Sequence, residues 1–351
     1  MQLPVSPVMA PPAAFVGAPA GAAAAAAAAA QLSSAASTVS PLGTVPLTTT
    51  PSRAAAFARR PLTHALRHPS SGAAFAQPPP AGGRPSRVLM WFHSDLRTAD
   101  NAALTAAAER ASVPGGVFVP FVSTSKTCSP EYLSAIFRLR DELSAAGTSL
   151  VVRATTTASV GETLLGLVRQ YNIQQVVFNH SEMAAPTRVE SRVVQQLVDA
   201  GVDVEAFWSN TLHAPLKEKK TLPAFVDAVS KLTAPPPTAA PSRLPQSPPG
   251  AAGGATTTAL PTNVNGQAAA AVLRKAQASL LSVRPGRILA VKAALELGIV
   301  SPRMVAEQLR STVANGGKSG RAAGALMSEL VWRSYVASSV ARAEVRSAVG
   351  V

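Results

Sequence analysis

The sequence predicts an α/β protein with a five-stranded parallel sheet, followed by a shorter all-α segment. Three observations predict it. Between residues 87 and 213, short apolar runs alternate with amphipathic helical stretches. From about residue 268 onward only the helical pattern returns. Residues 1–86 contain no Asp or Glu and show no apolar periodicity, so they lie outside the predicted folded part.

Strands and helices alternate regularly between Val88 and Phe207. The predicted strands are 88–92, 117–122, 149–153, 176–178 and 203–207. The predicted helices lie between them, at 101–111, from 129 to 146, from 159 to about 171, and at 186–200. Consecutive strands separated by helices pair in parallel through right-handed crossovers, with helices on both faces of the sheet.

Local signals refine some of these boundaries. Ser129 is predicted to cap the second helix, with Pro130 at its first position. Ser159 and Glu162 have the spacing of a capping box for the third helix. Pro120 interrupts the second apolar run and predicts a short or irregular strand there, because proline has no backbone N–H.

The first 86 residues have the composition of an organellar transit peptide. They are rich in Ala, Ser, Thr and Pro, and the first acidic residue of the protein is Asp95. This composition favours a chloroplast over a mitochondrion as the destination. Prolines interrupt the alanine-rich stretch, so no membrane span is predicted.

The rest of the chain divides into a linker and a basic helical region. Residues 214–267 are interpreted as a connector and a flexible linker, since 233–267 consist largely of Pro, Ala, Thr and Gly. Helices are predicted at 268–283, 287–297, from Pro302, and from 321 towards 346. Residues 265–351 hold 12 basic against 4 acidic residues, a charge that can attract DNA but is also common on soluble surfaces.

A polar turn follows the first predicted strand. It reads Trp91-Phe92-His93-Ser94-Asp95-Leu96-Arg97-Thr98-Ala99-Asp100-Asn101, and in an open α/β sheet this end of a strand is where ligands bind. Either Asp100 or Asn101 is placed to cap the following helix. One interpretation is an ordinary capped turn with an internal Asp95–Arg97 ion pair.

The spacing of this turn also resembles the opening signature of the DNA photolyase/cryptochrome family. That signature comprises Trp91, Phe92, Asp95, Leu96, Arg97, Asp100 and Asn101, while His93 stands where the family usually has Arg. Two later segments, 298–303 (GIVSPR) and 329–335 (ELVWRSY), resemble the start of the family's flavin domain. The layout is similar to that of the short plant plastid photolyase/blue-light-receptor-like proteins. The resemblance implies a Rossmann-like antenna domain followed by a truncated flavin-type domain.

The resemblance also implies roles for residues of the second half. Lys292, Glu329 and Arg333 would contact the flavin, FAD in this family, and Trp332 would reach a damaged base pair in a repair enzyme. The alternative is structural, because Glu329 and Arg333 are spaced as a helical i, i+4 ion pair and Trp332 can serve in packing.

A folate-type antenna is implied near Asn179 and Glu182, which follow the fourth strand. A carboxylate there could pair with a pterin amino group. A capped strand–helix loop explains the same residues without a ligand. A metal site is not expected, because Cys128 is the single cysteine and no histidines outside the leader show helix-face metal spacing.

One segment argues against ordinary flavin binding. The family places hydroxyl residues ahead of the GxxSPR segment, whereas residues 288–293 read ILAVKA, and the sequence ends 19 residues after Trp332. The main hypothesis is therefore a photolyase/cryptochrome homologue, a blue-light photoreceptor or DNA photolyase relative, with a degenerate flavin site. The alternative hypothesis is a non-enzymatic nucleotide- or folate-binding interaction module whose helical tail docks on a protein partner.

Overall fold

The structure is a computed structural model that describes residues 86–125, 128–181, 184–216, 218–250, 266–281 and 288–349. The predicted leader, apart from residue 86, lies outside the described residues. In the described part, no helix is long and apolar enough to cross a membrane.

The predicted α/β domain with a five-stranded parallel sheet is confirmed. The strands are β1 (Arg87–Phe92), β2 (Val117–Thr124), β3 (Val151–Ala154), β4 (Gln175–Asn179) and β5 (Asp203–Phe207). Their order is β3-β2-β1-β4-β5, and every pairing is parallel. The chain winds in one direction from β1 to β3 and in the other from β4 to β5, so a crevice is expected where β1 and β4 part.

Four helices connect the strands: α1 (Ala102–Ala111), α2 (Pro130–Ala145), α3 (Val160–Tyr171) and α4 (Ala184–Asp199). The Asn101 side chain caps α1 by accepting from Leu104 N at 3.0 Å, and Ser129 caps α2 by accepting from Tyr132 N at 3.2 Å. The capping box at Ser159 was wrong. Its hydroxyl accepts from Thr156 N at 2.9 Å instead, because Ser159 has a helical backbone and forms part of the preceding turn.

The prediction that Pro120 shortens or distorts its strand was also wrong, since β2 has 8 residues. Pro120 pairs with Met90 of β1, whereas pairing of β2 with β3 starts one residue later, at Phe121. On the β3 side, Pro120 therefore has no partner strand. A missing N–H group removes no ladder hydrogen bond at such a locally unpaired position.

The stretch after β5 contains one helix, α5 (Leu222–Ser230), and then an irregular segment. The predicted flexible linker does not describe residues 233–250, which are fastened to the α/β domain. Thr238 exchanges hydrogen bonds with Asp100, and Leu244 N donates to Ala146 O at 2.8 Å. The Ser247 hydroxyl bonds to Thr148 Oγ1 and accepts from Ser149 N, between α2 and β3. These hydrogen bonds and the buried Leu244 hold the segment, although it has no apolar periodicity. The remainder, 251–265, lies outside the described residues.

The second half of the described chain is helical, as predicted. It contains α6 (Gln267–Leu281), α7 (Ile288–Glu296), α8 (Pro302–Ala314) and α9 (Gly317–Val349). Gly316 lies between α8 and α9 and Gly317 begins α9, and both have positive φ. One hydrophobic cluster covers one face of the sheet and continues into these four helices, while a second cluster covers the opposite face. The helical region therefore shares its core with the α/β domain.

Candidate functional site

The turn after β1 buries its charged side chains almost completely. Asp95, Asp100 and Asn101 are 0% exposed and Arg97 is 1% exposed. Groups of this kind are rarely buried without partners, since removing a charge from water is costly. The hydrogen-bond and ion-pair partners of these side chains therefore show which parts of the chain the turn connects.

Asp95 is bound by two amides. Asn101 Nδ2 donates to its Oδ2 at 2.9 Å, and Asn179 Nδ2, from the end of β4, donates to the same oxygen at 2.6 Å. His93 N donates to the other carboxylate oxygen at 3.3 Å. Burial raises the pKa of Asp95, and the Arg97 guanidinium and these hydrogen bonds oppose that rise. The amides join the ends of β1 and β4 through one carboxylate.

Arg97 joins three parts of the chain. Its guanidinium donates to Asp100 O at 3.2 Å within the turn, and to Ser209 O and Asn210 Oδ1 at 3.0 Å after β5. It also donates to Gly298 O at 3.2 Å, between α7 and α8. The planar guanidinium suits such a role because its donors point in several fixed directions.

Asp100 extends this network to the GIVSPR segment. Its carboxylate pairs with Arg303 Nη2 at 2.7 Å and Nε at 3.1 Å, and it accepts from the Ser301 hydroxyl. Asp100 also accepts from Thr238 N at 3.1 Å. Its φ is +51°, a conformation that Asp tolerates better than most residues. We call this set of residues the clasp: Asp95, Arg97, Asp100, Asn101, Asn179, Ser301 and Arg303.

Gly298 fits against the same turn. Its φ is +69°, and a Cβ built there would come within 2.3 Å of Ser94 O and 2.7 Å of Asp95 Cα. Such distances lie far below a van der Waals contact, so only glycine allows the approach. Two separate sequence motifs, at 91–101 and 298–303, thus form the two halves of one interdomain contact.

A second buried polar group lies beside the clasp. Glu190 of α4 contacts His180 Nδ1 at 3.1 Å and His93 Nε2 at 3.5 Å, and it accepts from Ser181 N at 2.9 Å. His180 stacks on Trp208 with ring centroids 4.5 Å apart. Burial lowers the pKa of His93, and the Glu190 carboxylate opposes this. His93, His180, Glu190 and Trp208, together with Trp91, are called the histidine cluster below.

Comparisons with known proteins identify the domain that carries the clasp. The family model described as DNA photolyase matches residues 88–226. The chain is 30% identical over 132 residues to the deoxyribodipyrimidine photo-lyase of Agrobacterium fabrum, covering 36% of this chain and 27% of that protein. The α/β domain of this chain is therefore of the DNA photolyase/cryptochrome type. The match to the blue-light photoreceptor PHR2 of Arabidopsis thaliana has 27% identity over 164 residues, covering 41% and 36% of the two chains.

Solved photolyase-family structures share the fold. The class III photolyase from Agrobacterium tumefaciens superposes with a TM-score of 0.56 at 21% identity, covering 75% of this chain and 59% of that chain. The cryptochrome from Synechocystis gives 0.54 at 19% identity, covering 71% and 60%. The sequence matches to the two curated relatives span about a third or less of their length, and the structural matches about three fifths.

The predicted flavin residues lie together on α7 and α9. Lys292 Nζ is 3.3 Å from Glu329 Oε2, and Arg333 Nε is 3.7 Å from Glu329 Oε1. Trp332 is 38% exposed, with its ring centroid 5.6 Å from that of Tyr335. The structural interpretation of Glu329 and Arg333 as a helical ion pair is thus present in the fold. Lys292 and Arg333 therefore both place a cation beside the Glu329 carboxylate.

The family usually binds FAD and an antenna chromophore, and the donors around Lys292 are a poor match for the flavin diphosphate. Residues 288–293, at the position of the family's hydroxyl-rich cradle, begin helix α7 and provide Ile, Leu, Ala, Val, Lys and Ala. Leu289 is 73% exposed at this position. A diphosphate needs several charged or hydroxyl donors, whereas within residues 288–293 only the Lys292 side chain can supply one, and it already contacts Glu329.

The two predicted antenna residues have different outcomes. Asn179 is buried, and its Nδ2 donates to Asp95 and to Asn101 Oδ1 at 2.7 Å, so its amide takes part in the clasp. Glu182 lies outside the described residues. Among the described residues, no group of three or more His, Cys, Asp or Glu side chains is arranged to hold a metal ion.

Sequence reasoning missed Glu190 and Asn210. Glu190 lies within α4, where a helical acid gives no signal of burial, yet it is only 2% exposed. Asn210 Nδ2 donates to His180 O at 3.1 Å and to Ser94 Oγ at 3.2 Å, in addition to receiving Arg97. The sequence signal that could have found Asn210 is its position shortly after β5, because the carboxyl ends of β1, β4 and β5 lie at the same edge of the sheet.

Proposed function

We propose that this protein is a photolyase/cryptochrome homologue, of the blue-light-photoreceptor or DNA-photolyase kind, in which the α/β domain is intact and the flavin site is degenerate. The observation that carries the proposal is the chemistry of α7. At the position of the family's diphosphate cradle, α7 offers one ammonium group, Lys292, and an exposed apolar side chain, Leu289.

The Lys292–Glu329 ion pair by itself does not prevent flavin binding. Both side chains are about one third exposed, and such pairs contribute about 1 kcal/mol or less. The missing hydroxyl donors matter more. Charge-assisted hydrogen bonds contribute roughly 1.5 to 3 kcal/mol each, so losing several of them weakens diphosphate binding by orders of magnitude. We therefore expect weak flavin binding and no light-dependent repair of pyrimidine dimers by this chain alone.

An absorption spectrum and a repair assay test the proposal together. Protein produced with excess riboflavin should contain far less than one flavin per chain, and dimer-containing DNA should stay unrepaired under blue light. Residual FAD binding, followed by flavin fluorescence anisotropy, should weaken in Lys292→Met and stay unchanged in Lys275→Met, an exposed lysine on α6. Stoichiometric flavin, together with repair that Trp332→Ala abolishes, contradicts the proposal.

A second candidate function is the non-enzymatic binding of a nucleotide or folate. It is favoured by the histidine cluster at the ends of β1 and β4, where the buried indole Nε1 atoms of Trp91 and Trp208 have no hydrogen-bond partner within the described ranges. Unused donors of this kind suit an acceptor-rich ring. Pterin absorption without flavin in the purified protein would favour this function over the first, and a spectrum without either chromophore would leave only an interaction role.

Location and DNA binding belong to the same proposal. The composition of residues 1–86 supports chloroplast import, which a fluorescent fusion to that segment tests against a mitochondrial marker. The basic excess of residues 265–351 supports DNA contact. If these basic residues bind DNA phosphates, DNA affinity falls steeply with added salt. Salt-independent affinity argues against contact through phosphates.

A further inference from the structure

A cavity lies at the seam between the α/β domain and the helical region. Its volume is about 130 Å³, and its walls come from the turn after β1, α2, α6, and the start of α8 with the residues before it. Leu280, Ile299 and Val305 provide apolar walls, while the exposed Gln277 and Gln308 also line it, which places them at its mouth. The cavity is separate from the histidine cluster and from the Lys292–Glu329–Arg333 group.

One end of the cavity is polar. Glu142 accepts from Thr98 Oγ1 at 2.8 Å through one carboxylate oxygen and from Arg138 Nε at 2.7 Å through the other. Each Glu142 oxygen therefore already has a donor. Arg138 Nη1 is buried and has no hydrogen-bond partner in the part of the chain that the structure describes. Such a buried donor costs free energy unless an acceptor or an ordered water satisfies it.

The charged residues that line the cavity sum to one positive charge. Arg97 and Arg138 are positive and Glu142 is negative, and the other lining residues carry no charge. Arg97 Nη1 and Nη2 donate in the clasp, so Arg138 Nη1 is the group that we assign to an acceptor in the cavity. A guanidinium binds a planar carboxylate with matching geometry.

We propose that this seam cavity is a binding site for a small monocarboxylate with an apolar body, the size of one six-membered ring. The carboxylate accepts from Arg138 Nη1, and the ring lies against Leu280, Ile299 and Val305. The volume of about 130 Å³ is slightly below the roughly 150 Å³ of an apolar cavity that holds benzene, so the apolar body can be no larger than one ring. Because α2 and the turn belong to one part of the protein and α6 and α8 to the other, such a ligand also bridges the two parts.

Benzoate is the probe for the experiment, with the full chain and detection by calorimetric titration and thermal unfolding. Benzoate should bind and raise the melting temperature, because a ligand that binds only the folded state stabilises it. Arg138→Met should weaken binding at least about tenfold. Arg140→Met should leave it unchanged, since Arg140 is half exposed and pairs with Asp141 on the outer side of α2.

Two further comparisons locate and define the site. Ala276→Leu places a larger side chain on the wall of the cavity and should abolish binding while the protein stays folded. If that variant fails to fold, Arg138→Met and Arg140→Met still decide the matter. Benzyl alcohol, which has the ring but no charge, should bind at least about tenfold more weakly than benzoate. The proposal is overturned by absent benzoate binding at millimolar concentration, by equal binding of benzyl alcohol, or by binding that Arg138→Met leaves unchanged.

Discussion

At the scale of single residues, the photolyase signature is a set of buried hydrogen-bond partners. One interpretation of the sequence paired Asp95 with Arg97 within an ordinary capped turn. Instead, Asp95 receives amides from Asn101 and Asn179, while Arg97 donates to carbonyls as far away as Gly298. The proximity of the Arg97 charge still opposes the rise in the pKa of Asp95. The signature therefore acts in part by holding the domains together.

Asp95→Ala should lower the free energy of unfolding by roughly 1 to 3 kcal/mol. The substitution leaves the amide groups of Asn101 and Asn179 without a buried acceptor, which is costlier than losing a hydrogen bond at the surface. Denaturant unfolding measures the change. Asp141→Ala is the control, since Asp141 is 65% exposed and should change stability by less than about 0.5 kcal/mol. Equal effects of the two substitutions would show that the clasp adds no stability.

His213 should make the protein sensitive to mild acid. Burial lowers the pKa of His213 below its ordinary value of 6.5, so the unfolded chain binds a proton more readily than the folded chain. Stability therefore falls as the pH drops below about 6.5 and continues to fall until the folded-state pKa is passed. In His213→Gln this part of the pH dependence should disappear, as denaturant midpoints at several pH values between about 7 and 5 would show. An unchanged pH profile contradicts the assignment.

At the scale of secondary-structure elements, two serines attach α9 to the chain that follows β5. Ser334 Oγ accepts from Leu212 N at 3.1 Å and from His213 N at 3.3 Å, and Ser338 Oγ accepts from Leu216 N at 3.0 Å. Each hydroxyl also donates to a carbonyl one turn earlier in α9. Since these serines are fully buried, the irregular segment obtains from a helix the acceptors that it lacks itself.

Ser334→Ala should destabilise the protein by about 1 to 3 kcal/mol, because two buried N–H groups lose their acceptor at once. Ser328→Ala is a matched control on the same helix. Its hydroxyl donates to Gly324 O in the same way and has only that bond among the described residues, so little change is expected. Thermal or denaturant unfolding of both variants decides the point. A loss in Ser328→Ala as large as in Ser334→Ala would mean that the helix alone, and not its docking, is affected.

At the scale of the whole molecule, the two parts are held together by a common core and by the clasp. The hydrophobic cluster includes Phe92 and Leu104 of the α/β domain together with Leu309 and Leu330 of the helical region. Gly298 presses against Ser94 and Asp95 at the seam between them. We therefore expect the described parts to unfold in one cooperative transition, as domains with a shared core do.

Gly298→Ala should disturb this docking. The positive φ costs about 1 kcal/mol or more for a residue with a Cβ, and the contact with Ser94 O adds to this. Gly317→Ala is the control, because Gly317 has the same φ of +69° but a Cβ there would meet no atom within 4 Å. The first variant should lose roughly 2 kcal/mol more than the second. Equal losses would show that the backbone conformation, and not the close contact, sets the requirement for glycine.

Much of the α/β domain could be predicted from the sequence. The strand and helix periodicities, the caps at Asn101 and Ser129 and the order of the elements depend on neighbouring residues, so local patterns carry them. The error at Ser159 arose because its hydroxyl bonds within the preceding turn. The error at Pro120 arose because pairing of β2 with β3 begins only at Phe121. The segment 233–250 was interpreted as a linker because it is held by backbone hydrogen bonds and a few isolated side chains, such as Leu244 and Ser247, which form no periodic pattern.

The sequence by itself determined the resemblance to the photolyase family, the parallel sheet and the two motifs around Asp95 and Ser301, because local spacings of residue types define them. Only the tertiary structure decided that the two motifs bind each other through Asp100, Arg303 and Arg97, some 200 residues apart along the chain. The same holds for the burial of Glu190 and for the cavity at Arg138. Such contacts depend on which surfaces meet after folding, and the local hydrophobic periodicity of the sequence does not specify those surfaces.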